Sequence, residues 1–446
     1  MSRLPLRIAL LFAACSDRPL DVTGTTTTMS TGGDDPASTS TSDATTAEPP
    51  TTTHTPEPST TDASTGAPAT PDTSTTADTT TSTADTTTST TGTTGETMVE
   101  CGPPCGDPWV HGGELTINPG DDLTQFACLV EVTGHMSISG DFTSAELAVF
   151  ANLRTLGDSL WIINDEVLTD LDAFACLETA SDGLLFGDLP ALTDASGLAS
   201  VRTAPSLFFN GVALTNLPTL APDYTGLVSF EAYQLDTITD LDSVAGWGFA
   251  DDVEFFIDGA AKLTSIAGLA APLAASGGHA RISLRNFPAL TSLAGLESLT
   301  SGSIAVRDAP KVPDLLPLSN LVSADEIVLA GMPKVLDLQG LDNLADTQLL
   351  QLGDCDAGFD GLGMVGLTDL GGLDSLTVAS DLGLGNNTKL AALTGAPLLH
   401  SSEIVRASGN PVLTQADFDE LLAQLDAPPL GCIGDWDDCF CGNLMP

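Results

Sequence analysis

Basic residues are scarce in this sequence of 446 residues, which has 13 Lys and Arg against 60 Asp and Glu and a formal net charge of −47. No Lys or Arg occurs between Arg18 and Arg154. Proteins hold the phosphates of nucleic acids with Lys and Arg, so this composition argues against a nucleic-acid partner. Long apolar runs are missing as well. None reaches the roughly 20 residues that cross a bilayer, which argues against a membrane domain.

Signatures of common catalytic sites are also missing. The sequence contains no H-E-x-x-H, G-x-S-x-G or Walker motif. Residues 361–366, GLGMVG, match the pattern G-x-G-x-x-G, but no strand-to-helix unit is predicted around them, and 43 glycines make a chance match easy. The five histidines are dispersed: His54, His111, His135, His279 and His400. We therefore predict a protein that is not an enzyme and that uses no cofactor or metal.

The N-terminus has the layout of an export signal. Arg3 and Arg7 precede a short apolar run, and small residues stand directly before Cys15. Residues 12–15, FAAC, resemble the lipobox of bacterial lipoproteins, in which the Cys becomes the lipidated first residue of the mature chain. That resemblance implies a signal over 1–15, lipidation of Cys15 and, because Ser16 follows, sorting to the outer membrane. An ordinary cleaved signal is the alternative.

Residues 16–98 are mostly Thr, Ser, Asp, Pro, Ala and Gly. Almost no large apolar side chain is present to offset the entropy of ordering this backbone. We predict a disordered linker that tethers the domain behind it. Thr-rich linkers of this kind are also candidates for O-glycosylation.

A four-residue phrase recurs through most of the remaining chain at intervals of 22 to 32 residues. It has the form Leu-Thr-Asp-Leu, with Ser or Asn also found at the third position. The copies begin at Leu168, Leu192, Leu214, Ile238, Leu263, Leu290, Val312, Val335, Leu367, Leu390 and Leu413. A repeat of this length indicates a solenoid, because each unit is too small to bury its own apolar residues and must stack on its neighbours.

A short strand is predicted about eight residues before most copies of the phrase, as in LWI at 160–162 and ISL at 282–284. Side chains alternate along a strand, so the first and third residues of each triplet face the core and the middle one faces out. Some eleven coils stacked about 4.8 Å apart would share one core. The predicted outward residues are Trp161, Leu185, Phe208, Ser229, Phe256, Ser283, Ala305, Val328, Gln351, Gly383 and Val405.

Asn or Asp stands four residues before many of the phrases: Asn164, Asp188, Asn210, Asn286, Asp308 and Asn386. Both residue types tolerate left-handed backbone, so we interpret these positions as corners of the coil. Calcium binding is the alternative, which the uncharged Asn residues disfavour.

The open ends of a solenoid need covers. Thr414 with Asp417 predicts the start of a helix whose apolar residues 418, 421, 422 and 425 share one face. That face would lie over the last coil.

The sequence has eight Cys besides Cys15: Cys101, Cys105, Cys128, Cys176, Cys355, Cys432, Cys439 and Cys441. An even number in an exported chain indicates disulfides. Zinc is the alternative, but the sequence has no C-x-x-C pair. Cys128 and Cys176 fall in one column two coils apart, about 10 Å, which is beyond disulfide reach. We therefore predict that Cys101 and Cys105 pair with them.

Residues 126–138, FACLVEVTGHMSI, and 153–162, LRTLGDSLWI, resemble the receptor L domain of insulin- and epidermal-growth-factor-type receptors. The resemblance implies a leucine-rich-repeat-related, right-handed, single-stranded parallel β-helix with capped ends, a fold that binds protein ligands. It covers about residues 100–430, more than one such domain. The predicted organisation is a mainly β solenoid over 99–430 with short capping helices, and a Cys-rich cap over 431–446.

The outward row offers candidate binding residues. Trp161, Leu185 and Phe208 form an apolar stripe, and Phe256 lies nearby; exposed aromatic residues on a rigid sheet are good contacts for proteins or sugars. Two residues farther along successive strands come Asp258, Arg285 and Arg307. They form either an ion ladder or a receptor for a carboxylate or sulfate.

These observations predict a surface-anchored, non-catalytic recognition or adhesion protein that binds an extracellular protein or glycan. The predicted location is the outer membrane, exposed at the cell surface; secreted or periplasmic protein is the alternative. Two other functions stay open. One is a structural component of the envelope or matrix, and the other is a carbohydrate-active β-helix enzyme, for which basic residues are too sparse to place a site.

The predicted lipid anchor has a direct test. Cells that express the chain and are fed radiolabelled palmitate should incorporate the label into it, and Cys15→Ala should abolish the incorporation. Cys105→Ala is the control and should keep the label. Equal labelling of the wild type and Cys15→Ala would contradict the prediction.

Overall fold

The computed structural model describes residues 102–354 and 361–434, which belong to one compact unit spanning Thr91–Pro446. The predicted signal at 1–15 and linker at 16–98 lie outside the described residues. So do Cys101, Cys355, Cys439 and Cys441, and of the predicted cap at 431–446 only the first four residues are described.

Nearly all regular structure in these ranges is β-strand. The strands are β1 Trp109–His111, β2 Leu115–Ile117, β3 Leu129–Val132, β4 Met136–Ser139, β5 Thr155–Leu156, β6 Ser159–Ile163, β7 Thr179–Ala180, β8 Gly183–Leu189, β9 Ser206–Val212, β10 Leu227–Tyr233, β11 Phe249–Asp258, β12 His279–Arg285, β13 Ser301–Arg307, β14 Ser323–Ala330, β15 Asp346–Leu352, β16 Val378–Gly385, β17 Ile404–Ser408 and β18 Leu430–Gly434.

The helices are short. Three are α-helices: α1 Ser144–Leu147, α2 Ala270–Ala275 and α3 Gln415–Ala423. The 3₁₀ helices are Leu123–Phe126, Ala148–Phe150, Asp172–Phe174, Ser196–Leu198, Asp242–Gly246, Ala267–Leu269 and Leu316–Leu318.

The strands form two parallel sheets whose order follows the chain. The large sheet has 14 strands, and from β9 to β17 each strand pairs with the strands directly before and after it in sequence. The small sheet has the order β1-β3-β5-β7, so the first coils alternate between the two sheets. Each coil therefore adds one strand to the large sheet. More coils are present than the eleven predicted, because the coils of β2, β4 and β18 lack the Leu-Thr-Asp-Leu phrase.

Inward side chains of successive coils make one continuous core. In β6 Leu160 and Ile162 are fully buried while Trp161 between them is partly exposed, as the alternation predicts. The first leucines of the phrases, such as Leu168, Leu192 and Leu263, are fully buried in the same core. The predicted mainly β fold with parallel strands and short helices is thus confirmed.

In five of the coils the third residue of the phrase starts a 3₁₀ turn. Its side-chain oxygen accepts the backbone N–H two residues ahead: Asp194 from Ser196 at 2.8 Å, Asp240 from Asp242 at 3.2 Å. Asp, Ser and Asn are the residues that make this local turn, which explains their alternation at that position. The Thr before it ties coils together, since Thr264 Oγ1 donates to the carbonyl of Thr239 at 3.0 Å.

One residue per coil turns the chain at the end of the large sheet's strand. Five of the six predicted corner residues have left-handed backbone, with φ between 55° and 60°: Asn164, Asp188, Asn286, Asp308 and Asn386. The prediction for Asn210 is wrong. Asn210 pairs with Tyr233 inside the sheet, and its neighbour Gly211, with φ of 61°, makes the corner instead. Glycine has no Cβ to oppose this conformation, so it replaces Asn there.

The predicted C-terminal helix is present, and β18 follows it as one more strand beside β17. Thr414 accepts the amide of Asp417 at 3.3 Å, the Asp417 carboxylate accepts the amide of Thr414 at 3.0 Å, and helix α3 follows. Phe418 and Leu421 are buried against the core. Gln424 donates to the carbonyls of the preceding coil at residues 396 and 399, at 3.0 and 2.9 Å. The helix therefore covers the apolar interior of the coil that precedes it.

A disulfide joins Cys105 to Cys128, with the two Cα atoms 5.5 Å apart. This confirms one of the crossovers predicted for the N-terminal cap. Cys176 is disulfide-bonded too. Cys432 lies on β18.

Truncation of one large buried side chain should destabilise the shared core. Phe230 is fully buried, with ring centroids of Phe209, Trp247 and Phe255 at 6.2, 5.4 and 4.6 Å. Phe230→Ala should lower the free energy of unfolding by about 3–5 kcal/mol, because it leaves a cavity between coils. The measurement is guanidinium unfolding followed by circular dichroism.

Val228→Ala is the matched control on the same strand. Val228 is 51% exposed, so its truncation should change stability by no more than about 0.5 kcal/mol. Equal effects of the two changes would contradict the shared core.

Candidate functional site

The outward face of the large sheet carries the candidate binding residues. Strand register sets a central row across it: Trp161, Leu185, Phe208, Glu231, Phe256, Ser283 and Ala305 lie side by side on β6 and β8–β13. All seven are partly exposed. The predicted stripe of Trp161, Leu185 and Phe208 is therefore contiguous.

Two predicted members of the row are wrong. Ser229 faces outward, but it pairs with Ser206 and Glu254, and Glu231 takes the place beside Phe208. Val405 faces the core and is fully buried, because its register partner is the inward Leu382. A shift of one residue along a strand exchanges its faces. Arg406 is the residue that aligns with Gly383.

The row is open along only part of the sheet. Val328 and Gly383 face outward by register, yet both are buried, as is Ala330. Next to Ala330, Leu362 Cδ1 lies 3.4 Å from where a Cβ would project from Gly331, so Leu362, from the segment between β15 and β16, packs beside this end of the row. The accessible working surface extends over β6–β13.

An aromatic and charged cluster lies in the middle of this surface. We call Phe208, Glu231, Tyr233, Phe256 and Arg285 the sheet patch. Ring centroids of Phe208 and Tyr233 are 5.8 Å apart, and those of Tyr233 and Phe256 are 5.2 Å apart. Arg285 Cζ lies 5.3 Å from the centroid of the Phe256 ring, a cation–π contact. All five side chains are partly exposed, so they can meet a ligand without rearrangement of the sheet.

Glu231 is in an unfavourable place for a negative charge. It stands between Phe208 and Phe256 in the ladder. Burial raises the pKa of its carboxyl, the nearby Glu254 raises it further, and a hydrogen bond from the Tyr233 hydroxyl partly offsets both. The same burial, with the charge of Glu231, raises the pKa of Tyr233. A positive group near Glu231 would relieve this unfavourable burial.

Arg285 and Arg307 are in register, with Asp258 on the other side of Arg285, as the sequence predicted. Burial and the charge of Arg307 lower the pKa of Arg285, while Asp258, Tyr233 and Glu326 act in the opposite direction. Asp258 also accepts a hydrogen bond from Asn286 at 2.5 Å. These attractions within the protein fit the ion-ladder interpretation better than a vacant anion site.

Trp161 extends the surface toward the N-terminal coils. Its ring meets that of His135 edge-on, with centroids 4.5 Å apart. His135 Nδ1 in turn lies 2.9 Å from the hydroxyl of Ser159. Trp161 therefore packs against a neighbour on the preceding coil while part of its ring stays exposed.

Three coils also bring together a histidine, a serine and an aspartate that are far apart in sequence. His279 Nδ1 lies 2.8 Å from Ser301 Oγ, and its Nε2 lies 3.6 Å from Asp252 Oδ1. These residue types recur in acyl-transfer enzymes. Here Arg281 Nε also approaches Asp252, at 3.4 Å, and the Ser301 amide, which an oxyanion would need, donates to the carbonyl of Gly278. We interpret the group as a polar ladder on the open sheet.

Within residues 102–354 and 361–434, no three or more His, Cys, Asp or Glu side chains are grouped as a metal site requires. In the same ranges no helix has the length and apolar character to cross a bilayer. Comparison with protein-family models and with curated proteins found no match.

Sequence reasoning missed Glu231 and Tyr233. The signal was available: counting eight residues back from Ile238, as for the other phrases, places Phe230, Glu231 and Ala232 as the triplet of β10. The contacts of Tyr233 with the rings of Phe208 and Phe256 join different strands, so they cannot be predicted from any one strand.

The position of Glu231 predicts a pH-dependent stability difference. Because the folded state holds this proton more tightly than the unfolded chain, the carboxyl destabilises the fold as pH rises above about 4.3, its unfolded pKa. Glu231→Gln should therefore raise the thermal unfolding midpoint at pH 7. The gain should vanish below pH 4, where Glu231 is protonated in both states.

Glu403→Gln is the control, because Glu403 is exposed just before β17. It should leave the midpoint unchanged at both pH values. If Glu231→Gln and the wild type have the same thermal unfolding midpoint at pH 7, the destabilisation by the buried Glu231 charge is contradicted.

Proposed function

We propose that this protein is a surface-anchored, non-catalytic recognition or adhesion protein that binds an extracellular protein or glycan through the outward face of its large sheet. The observation that carries the proposal is the row of partly exposed Trp161, Leu185 and Phe208 held side by side on consecutive parallel strands, with Phe256 two strands farther on beyond Glu231. A rigid surface of this kind needs little ordering on binding, which favours affinity.

We further propose that the coils form a right-handed single-stranded β-helix of the receptor L-domain type. Support comes from the 14 parallel strands in chain order, the repeated left-handed corner and the C-terminal helix α3. In this proposal the array is longer than one such domain, as the sequence resemblance over about 100–430 implies. The fold acts as a scaffold that holds the outward row flat.

The proposed location is the outer surface of a bacterial outer membrane. The export signal, Cys15 in its lipobox-like setting and the polar tract at 16–98 support an anchor followed by a tether. A tethered, acidic domain of this kind would reach ligands outside the cell. In the proposed arrangement the sheet face stays free for contact because the anchor is at the far end of the tether.

The function is tested by ligand capture on cells. The full-length chain with Trp161→Ser and Phe208→Ser should lose at least tenfold of its adhesion to a surface coated with extracellular material, because both contact residues are removed from the row. Adhesion is measured by counting bound cells, and equal surface display is verified with an antibody.

Leu316→Ser with Leu398→Ser is the matched control. These leucines are 55% and 54% exposed and lie away from the large sheet. The control should adhere like the wild type. Unchanged adhesion of the Trp161 and Phe208 variant, with its circular dichroism intact, would reject the sheet face as the binding surface.

A further inference from the structure

The sheet patch combines stacked aromatic rings with a half-buried carboxylate. Glu231 lies between Phe208 on β9 and Phe256 on β11, and Tyr233 follows on the same face. The ring centroids of Phe208 and Phe256 are within 5.8 and 5.2 Å of the Tyr233 ring. A ligand lying on this patch would therefore contact apolar ring faces and one negative charge together.

The patch already holds one cation of the protein's own. Arg285 occupies the Phe256 end, with its Cζ 5.3 Å from the ring centroid. Aromatic faces attract cations, and a neighbouring carboxylate adds to that attraction. On the other side of Glu231 the row continues with Phe208, Leu185 and Trp161, which are neutral. The Phe208 side is thus the side where a second cation would be favoured.

The charge of the whole chain points the same way. With a net charge of −47, the protein attracts cationic molecules and concentrates them near its surface. Glu254 lies on the strand next to Glu231 and raises the pKa of its carboxyl, so the two acids repel each other. A protonated amine placed between them would remove that repulsion.

The carboxylate among the aromatic residues of the sheet patch disfavours a protein as the ligand of this patch. The centres of protein–protein interfaces are depleted of acidic residues, and here a carboxylate stands in the middle of the aromatic residues. A sugar ring suits the surface better, because it has an apolar face to stack on an aromatic ring and polar groups around its edge.

We propose that the sheet patch binds a glycan that carries protonated amino groups, with a sugar ring stacked on Phe208 or Tyr233 and its ammonium group beside Glu231. The inference rests on the proposed recognition function and names the ligand class of that surface.

The test compares two oligosaccharides of equal length. Titration calorimetry of the full-length protein uses the glucosamine hexamer and the N-acetylglucosamine hexamer, which differ in the charge of the amino group. The glucosamine hexamer should bind at least tenfold more tightly. Glu231→Gln should remove at least tenfold of that affinity, and Phe208→Leu should weaken both the binding and its enthalpy. The exposed Glu403→Gln should change affinity less than twofold.

Three results would overturn the proposal. One is equal affinity for the two hexamers. Another is an equal loss in Glu231→Gln and Glu403→Gln, which would assign binding to net charge alone. The third is tight binding of a lysine hexapeptide, equal to that of the glucosamine hexamer and equally dependent on Glu231. That result would indicate that the ligand is a basic segment of a protein.

The cell-adhesion assay separates this inference from the proposed function. If glucosamine oligomers fail to bind while adhesion still depends on Trp161 and Phe208, the ligand class is wrong and the recognition function stands. If adhesion is unchanged in those variants but the hexamer binds through Glu231, the patch is a glycan site and the adhesion proposal is wrong.

Discussion

Register between consecutive parallel strands is the constraint on which the rest of the structure depends. Each coil is too short to bury its own apolar side chains, so Leu160, Ile162 and their equivalents are buried only because the next coil repeats the same pattern in line with them. A shift of one residue would turn these side chains to solvent and bring residues such as Trp161 inward. Burial of the apolar side chains therefore selects one alignment, and that alignment also orders the outward side.

Local turn chemistry supports this register without defining it alone. Asp194 and Asp240 bend the chain into a 3₁₀ turn after their phrases, and residues such as Asn286 reverse it at the end of a strand. Because the turn at each corner recurs at the same place, strands of successive coils meet in line. The elements near the ends serve a related purpose: α3 covers the interior of the coil before it, and the Cys105–Cys128 disulfide ties the first coils.

The same alignment produces the surface that we propose for function. Parallel stacking places Phe208, Glu231 and Phe256 side by side although they are distant in sequence. The resulting patch has a charge in an aromatic setting, which is costly for the free protein and is relieved by a cation. The surface is limited at one end, where Val328 and Gly383 are buried. The sheet thus presents one accessible area instead of a uniform face.

Much of the architecture could be predicted from the sequence because its signals are local. The phrase at Leu168 and its copies, the alternation in 160–162, the corner at Asn164 and the capping pair Thr414 and Asp417 each lie within a few residues of one another. Such patterns determine which side chains face inward and where the chain turns. They also allowed the row of Trp161, Leu185 and Phe208 to be predicted.

Tertiary structure alone decided which residue stands beside which across coils. The outward places of Glu231 and Arg406 were within reach of the sequence, since triplets that start eight residues before Ile238 and Leu413 have them in the middle, in place of the predicted Ser229 and Val405. The sequence could not show that Gly211 would replace Asn210 at the corner, or that Val328 would be buried. These outcomes depend on contacts between segments more than 20 residues apart, which form only when the coils stack. The raised pKa of Glu231 has the same origin, because the side chains that surround it come from three different strands.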